Sequence, residues 1–218
     1  MDETLRIPTT VRTNLAQRLL RDSAYSLSAL PIGILTFAFV VTGLAAGAGL
    51  FVVWVGLPVL VGTVLLARAF AHLERLRLRS LREREVSPPS YLSAGPGSSA
   101  LRRLLTPLRD PQSWLDVVWG IVGLVTGLVA SVVTIAWWSV AATGLTYWFW
   151  ERWVPEGDDD KTLAELIGLG EGRTPDIWLN LVIGAVALLL LPVVVRAVAV
   201  LHAGTADALL NGRTNLRA

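Results

Sequence analysis

Hydrophobic and charged positions in this chain separate into long blocks. No charged side chain occurs in residues 23–67, 117–150 or 177–195, and charge collects in the segments between. A bilayer crossing needs about 20 mostly apolar residues, so each block is long enough to cross. The first holds two crossings, joined at the small-residue stretch "GLAAGAG" of residues 43–49, which permits a tight turn. The 34 residues of the second leave no room for two crossings of about 17 plus a turn, so it counts as one. The pattern predicts four transmembrane helices in two hairpins, an all-α membrane protein. Their limits are Tyr25–Ala46, Phe51–Ala71, Val117–Ser139 and Ile177–Val198.

The flanking segments add amphipathic elements. In "RAFAHLERLRLRSLRERE" (68–85), Glu74 with Arg77 and Arg79 with Glu83 stand at ion-pair spacings, while Leu73, Leu76 and Leu81 form an apolar stripe. This reads as the second span extended beyond the membrane. "SPPSYLSAGPGSSA" follows as a flexible linker, and "LRRLLTPLRDPQSW" then places Leu101, Leu104, Leu105 and Leu108 on one face of a helix lying at the interface. Asp110 with Pro111 marks a helix start. The resulting divisions are an N-terminal segment (1–22), a first hairpin with helical extension (23–86), a linker with interfacial helix (87–112), a second hairpin (113–212) with an acidic loop at 151–176, and a tail (213–218). The halves share short similarities, "RAFAHL" with "RAVAVL" and "GILT" with "GLVT", and duplication stands level with chance.

Composition fixes the class and charge orients the chain. Apolar residues make up 53%, charged residues only 17%, and there are nine Trp. Sixteen of the nineteen basic residues fall before the first span, between Arg68 and Arg109, or from Arg196 onward. The 151–176 loop carries eight acids against Arg152, Lys161 and Arg173. By the positive-inside bias, both termini and the 68–113 segment are cytoplasmic, in the plasma membrane. Glutamates interrupting the arginine run disfavour nucleic acid as a partner and leave membrane lipids as the expected one. The first apolar block starts too late and runs too long for a secretory signal. With no cysteine, disulfides and thiolate metal sites are excluded.

Candidate chemistry is sparse. Trp137, Trp138, Tyr147, Trp148, Trp150, Trp153 and Trp178, with Asn180, gather toward the predicted outer side. Most of this set reads as an interfacial belt, and the functional alternative is a ligand pocket opening outward or into the outer leaflet. Asp158, Asp159 and Asp160 lack the glycine spacing of a calcium loop. His72 and His202 sit near predicted cytoplasmic helix ends, and no motif for a nucleophile, metal hydrolase, nucleotide loop or dinucleotide fold occurs. No enzyme, cofactor or metal site is expected. No span carries an ionisable residue at its middle, which disfavours an ion-coupled pump. Gly43 with Gly47, and Gly123 with Gly127, fit close helix packing within the chain better than a dedicated dimer face; homo-oligomerisation stays open. Pro58 and Pro192 each interrupt a span leading into the cytoplasm.

The order "LPIGILTFAFVVTGLAAGAGL", "VGLPVLVGTVLLARAFAHLERLRLRSL", a Pro-rich linker, "LRDPQSWLDVVW", a Trp-rich third span and "LLPVVVRAVAVLHAGTADALLNG" resembles the sensor domain at the N-terminus of actinobacterial two-component histidine kinases. The resemblance covers residues 22–212, and its most specific parts are Gly56-Leu57-Pro58, Leu66-Ala67-Arg68, Arg109-Asp110-Pro111 with Trp114, and Arg196-Ala197. It implies a sensor region only. His202 is followed by Ala-Gly-Thr, not by the acidic neighbour of a phosphoacceptor, and ATP-binding boxes are missing from these 218 residues. The expected function is a signal-input module that detects an extracytoplasmic or lipid-phase stimulus. It would report to a histidine kinase or other signalling partner through its exit helices, with Pro58, Arg68, Pro192 and Arg196 as transmission residues. The alternative is a small transporter or channel subunit.

Overall fold

The computed structural model describes residues 14–82, 89, 91–95, 97–153, 163–170 and 172–215. Among these, the regular elements are all helical. α1 is Leu15–Gly49, α2 Gly56–Arg82, α3 Ala100–Arg109, α4 Pro111–Trp150, α5 Leu163–Leu166 and α6 Arg173–Asn215, with 3₁₀ turns at Leu50–Val53 and Glu151–Trp153. α1, α2, α4 and α6 are each long and apolar enough to cross a membrane. α4 is a single 40-residue helix, as the length of its apolar block requires.

Local chemistry sets the helix ends. The Ser99 side chain accepts from the Arg102 amide to start α3, and Asp110 accepts from the Gln112 amide at 3.2 Å with Pro111 in the first turn of α4. Between α1 and α2 the chain reverses through Trp54, at a left-handed φ of 65°, whose amide reaches the Phe51 carbonyl at 3.2 Å. At Gly56 a Cβ would stand 2.2 Å from the Gly47 carbonyl oxygen, so only glycine fits.

Two punctuation signals in the sequence have different outcomes. Pro58 lies in the first turn of α2, where its missing N–H has no partner to lose, so it opens that helix and interrupts nothing. Pro192 lies inside α6, and Pro31 inside α1. α6 runs on through Asn211 and Gly212 to Asn215.

Small residues govern helix contacts. Gly43 and Gly47 face Thr63 and Leu60 of α2, and a Cβ on Gly127 would sit 3.1 Å from the Ala29 carbonyl of α1. Gly144 and Gly184 bring α4 and α6 backbone to backbone. All these glycines are spent inside the chain. Along the seam of α1 and α4, Gly120 meets Val40, Gly33 meets Leu124, Gly127 meets Ala29, Ser131 donates to the Ser26 carbonyl at 2.6 Å, and Trp138 donates to Ser23 Oγ at 3.1 Å. Residue numbers rise on one helix as they fall on the other, so α1 and α4 are antiparallel. Four complete crossings with the linker held on one face would make them parallel. The packing therefore differs from two hairpins inserted from the same side, and the turns at 50–55 and 151–153 lie toward opposite ends of the bundle.

The face of α2 also differs from the expected one. Leu73 and Leu76 are exposed at 40% and 44%, whereas Ala71, Glu74, Arg75, Leu78 and Leu81 are buried. The buried face is shifted, with Glu74 and Arg75 turned inward beside Leu78 and Leu81, and Leu73 and Leu76 turned outward. An aqueous surface would favour the reverse; a surface facing lipid favours this one.

Candidate functional site: a buried ionic network

The inward face of α2 organises the site. Arg75, 2% exposed in its side chain, donates to Asp116 Oδ1 of α4 at 2.8 Å, to the Leu210 carbonyl of α6 at 3.1 Å and to the Tyr91 hydroxyl at 3.0 Å. Asp116 is fully buried and also accepts from Tyr91 at 2.6 Å and from Gln112 Nε2 at 3.3 Å. Gln112 in turn donates to the Leu210 carbonyl at 3.1 Å. One ion pair thus joins α2, α4, the end of α6 and the linker. A buried ion pair is tolerated only when its remaining donors and acceptors are met, and most are. Tyr91 lies in the linker; burial, then its hydrogen bond to Asp116 and that carboxylate's negative charge, push its pKa up to about 12, so its hydroxyl remains a proton donor.

A second set lies beside the first. Glu74 accepts from the Tyr25 hydroxyl at 2.8 Å and from Arg77, the i,i+3 partner anticipated from spacing. Arg77 continues to the Tyr25 carbonyl at 2.7 Å and Ser28 Oγ at 2.8 Å, with its guanidinium 4.7 Å from the Tyr25 ring centre. The other anticipated pair, Arg79 with Glu83, involves a residue outside those described. His202 of α6 completes the set, its Nδ1 at 2.8 Å from Thr126 Oγ1 and its ring between those of Tyr25 and Trp119.

Both exit arginines singled out in the sequence join ion pairs, and they do so reciprocally. Arg68, at the exit of the first hairpin, donates to Asp110 at 2.8 Å and to Ser113 at 2.8 and 2.5 Å, at the start of α4. Its guanidinium lies 4.2 Å from the Tyr91 ring centre. Arg196, in the second hairpin, donates to Asp22 in α1 at 3.1 Å. Each arginine therefore grips an acid of the other half, Asp110 at the start of α4 and Asp22 near the N-terminal end of α1. Pro58 and Pro192 belong to neither pair.

The aromatic candidates spread along α4 and α6. Trp137 donates to the Ala187 carbonyl at 3.0 Å, and Trp138 reaches Ser23 near the N-terminal end of α1. Tyr147 donates to Asp176 at 2.6 Å and meets Trp150 edge-on, while Asn180 donates to the Asp176 carbonyl at 2.9 Å. Trp148 and Trp153 are 56% and 63% exposed and pack on Phe149. Trp178 alone of the eight lines a groove of about 440 Å³, with Leu169, Thr174, Pro175, Leu179 and Val182. The triple aspartate lies outside the described residues. Among those described, no cluster of three or more His, Asp or Glu is arranged to hold a metal.

The ionic network itself escaped sequence reasoning, because its acids read as flanks of apolar blocks. One signal was available. Val64, Ala67, Ala71, Arg75 and Leu78 recur at helical spacing, which puts Arg75 on the same face as the apolar core positions.

Comparison with curated proteins and with solved structures gave no match. A family model described as "Putative sensor" matches residues 25–210, which takes in most of all four long helices, the linker and every side chain of the network but Asp22. The chain belongs to this Sensor family.

Proposed function

We propose that the chain is a membrane-embedded signal-input module whose output passes through the ionic network to a histidine kinase or another signalling partner. The observation that carries this reading is Tyr91. A linker residue is tied by hydrogen bonds to Arg75 and Asp116, and through Arg75 to the Leu210 carbonyl, so movement of α2, α4 or α6 is felt outside the long helices. A stimulus acts by favouring one arrangement of such an element over another. The groove at Trp178 and the neighbouring aromatic residues are the proposed input end, suited to an apolar or lipid-phase ligand.

The division of basic residues supports a plasma-membrane location with termini and linker in the cytoplasm. The antiparallel seam of α1 and α4 supports hairpins that do not both cross from that side. Single cysteines at Ser93, Val52 and Gly168, probed with an impermeant thiol reagent in intact cells, separate the two. Labelling at Val52 and Gly168 with protection at Ser93 supports four crossings, and it requires that α1 and α4 rearrange in the membrane. Labelling at only one of Val52 and Gly168 supports the packing.

The functional test uses membranes holding this chain and a histidine kinase encoded beside it. Tyr91→Phe removes the tie between linker and helices while leaving the ring in place. Kinase autophosphorylation that is the same with wild type, with Tyr91→Phe and with no sensor at all would reject the signal-input reading.

A further inference from the structure

Among the buried polar atoms that make no hydrogen bond, which include Arg75 Nε, His202 Nε2 is the one that faces a carboxylate. His202 is 2% exposed, and its Nε2 makes no hydrogen bond. That atom points toward Glu74 Oε1 at 3.8 Å, too far for a direct bond. Between the helices here is a cavity of about 10 Å³, lined among others by Glu74, Arg77, Trp119 and His202. That is about the least space that admits a water molecule.

The tautomer follows from the neighbour on the other side of the ring. Thr126 lies within 3.2 Å of the Val122 carbonyl, and giving its hydroxyl proton there leaves its oxygen to accept from Nδ1–H. Nε2 of neutral His202 then turns a lone pair toward a carboxylate. Two acceptors facing each other across a buried gap need either a molecule that donates to both or a proton on the ring.

We propose that the Glu74–His202 gap is a proton-binding site, bridged by one water when the imidazole is neutral and closed by direct imidazolium–carboxylate contact when it is charged. Closing the gap from 3.8 Å to ordinary bond length draws α6 toward α2 by about 1 Å. Surrounding groups set the balance. From α2, Glu74 favours the added charge and Arg77 opposes it; from α1, the Tyr25 hydroxyl competes for Glu74 Oε1. From α4, Thr126 fixes the ring, and Asp116 is engaged by Arg75 and Tyr91. On α6 itself, Arg196 is held by Asp22, and Asp207 accepts from Asn211. As a signal, protonation would make acid the stimulus of the module proposed above, and only that step rests on the sensor reading.

The chain has two histidines, His72 exposed and His202 buried, so imidazole nitrogen resonances are assignable with one variant, His72→Gln. The experiment is ¹⁵N imidazole spectroscopy of the full chain in lipid nanodiscs from pH 4 to 9. His202 should pass from a single N–H on Nδ1 to a doubly protonated ring, and Glu74→Gln should lower its proton affinity about tenfold or more. An independent reading comes from Thr126→Val, which removes the oxygen held by Nδ1 and should change the tautomer of the neutral ring while leaving Glu74 in place. A His202 that never protonates in this range overturns the proposal, as does protonation indifferent to Glu74→Gln. If His202 titrates as expected but kinase output does not change with pH, the proton site stands and acid is excluded as the stimulus.

Discussion

Arg75 and Asp116 provide the sharpest test of the network, since their side chains are 2% and 0% exposed and they meet at 2.8 Å. Arg75→Met keeps the length and apolar stem of the side chain but removes the charge. Asp116 is then left buried with Tyr91 and Gln112 as its remaining donors, and the Leu210 carbonyl keeps only Gln112. An uncompensated buried charge of this kind costs about 3–5 kcal/mol. Asp116→Leu alone strands the guanidinium and should cost a similar amount. The double variant removes both charges and leaves one unmatched Tyr91 hydroxyl, so it should recover most of the loss; apolar replacement of a whole buried pair is often neutral or stabilising. The assay is reversible unfolding in mixed micelles, followed by near-ultraviolet dichroism, on wild type, both singles and the double. The cycle should give a coupling of about 2 kcal/mol or more between the positions. Single variants costing under about 1 kcal/mol, with additive effects, would show that water reaches the pair and would refute its burial.

Other consequences can be checked on the same preparations. Gly144→Val should destabilise by about 1–3 kcal/mol or separate α4 from α6, since a Cβ there falls 2.7 Å from the Asn180 carbonyl oxygen and 2.7 Å from Gly184 Cα. Gly62→Ala, with nothing within 4 Å, is its control and should be neutral or stabilising by about 0.5–1 kcal/mol in the same unfolding assay. For Tyr91, the raised pKa of about 12 stabilises the fold fully below its ordinary value of 10.0, and that contribution is lost as pH rises through about 12. Alkaline unfolding should therefore begin between these values and shift in Tyr91→Phe. Charge exchange at one reciprocal pair, Arg68→Asp with Asp110→Arg, should restore much of the stability lost in Arg68→Asp alone, as read by a thermal-shift measurement of the four chains in the cycle.

The segments of this protein were legible because length and charge alone mark them. Apolar blocks of 45, 34 and 19 residues leave few ways to place crossings, and Ser99, Asp110 and Pro111 announce the ends of α3 and α4 in the chemistry of helix caps. Helix pairing was not legible, for a reason in the same composition. A helix that is apolar nearly all round carries no periodic mark of the face its neighbour will cover. The contact of α1 with α4 is chosen by Gly33, Gly120, Gly127 and Ala29, whose only distinction is a side chain no larger than a methyl, and the sequence has 19 glycines from which to choose.

The charged stretch after the second apolar block misled in a more instructive way. Leu73, Leu76 and Leu81 were read there as one apolar stripe of an amphipathic extension. The structure keeps Leu81 on the buried face but exposes Leu73 and Leu76, and it buries Glu74 and Arg75 in their place. That inversion explains why the network exists. Charges turned inward must find partners from other elements: Asp116 meets Arg75, Asp110 meets Arg68 and the Tyr25 hydroxyl meets Glu74. Helices joined by such pairs do not slide freely, because a one-residue shift of about 1.5 Å breaks several charge-assisted bonds together. Movement between them is consequently confined to arrangements in which the charges find partners again, and a small number of discrete states is what the proposed signal-input role would require.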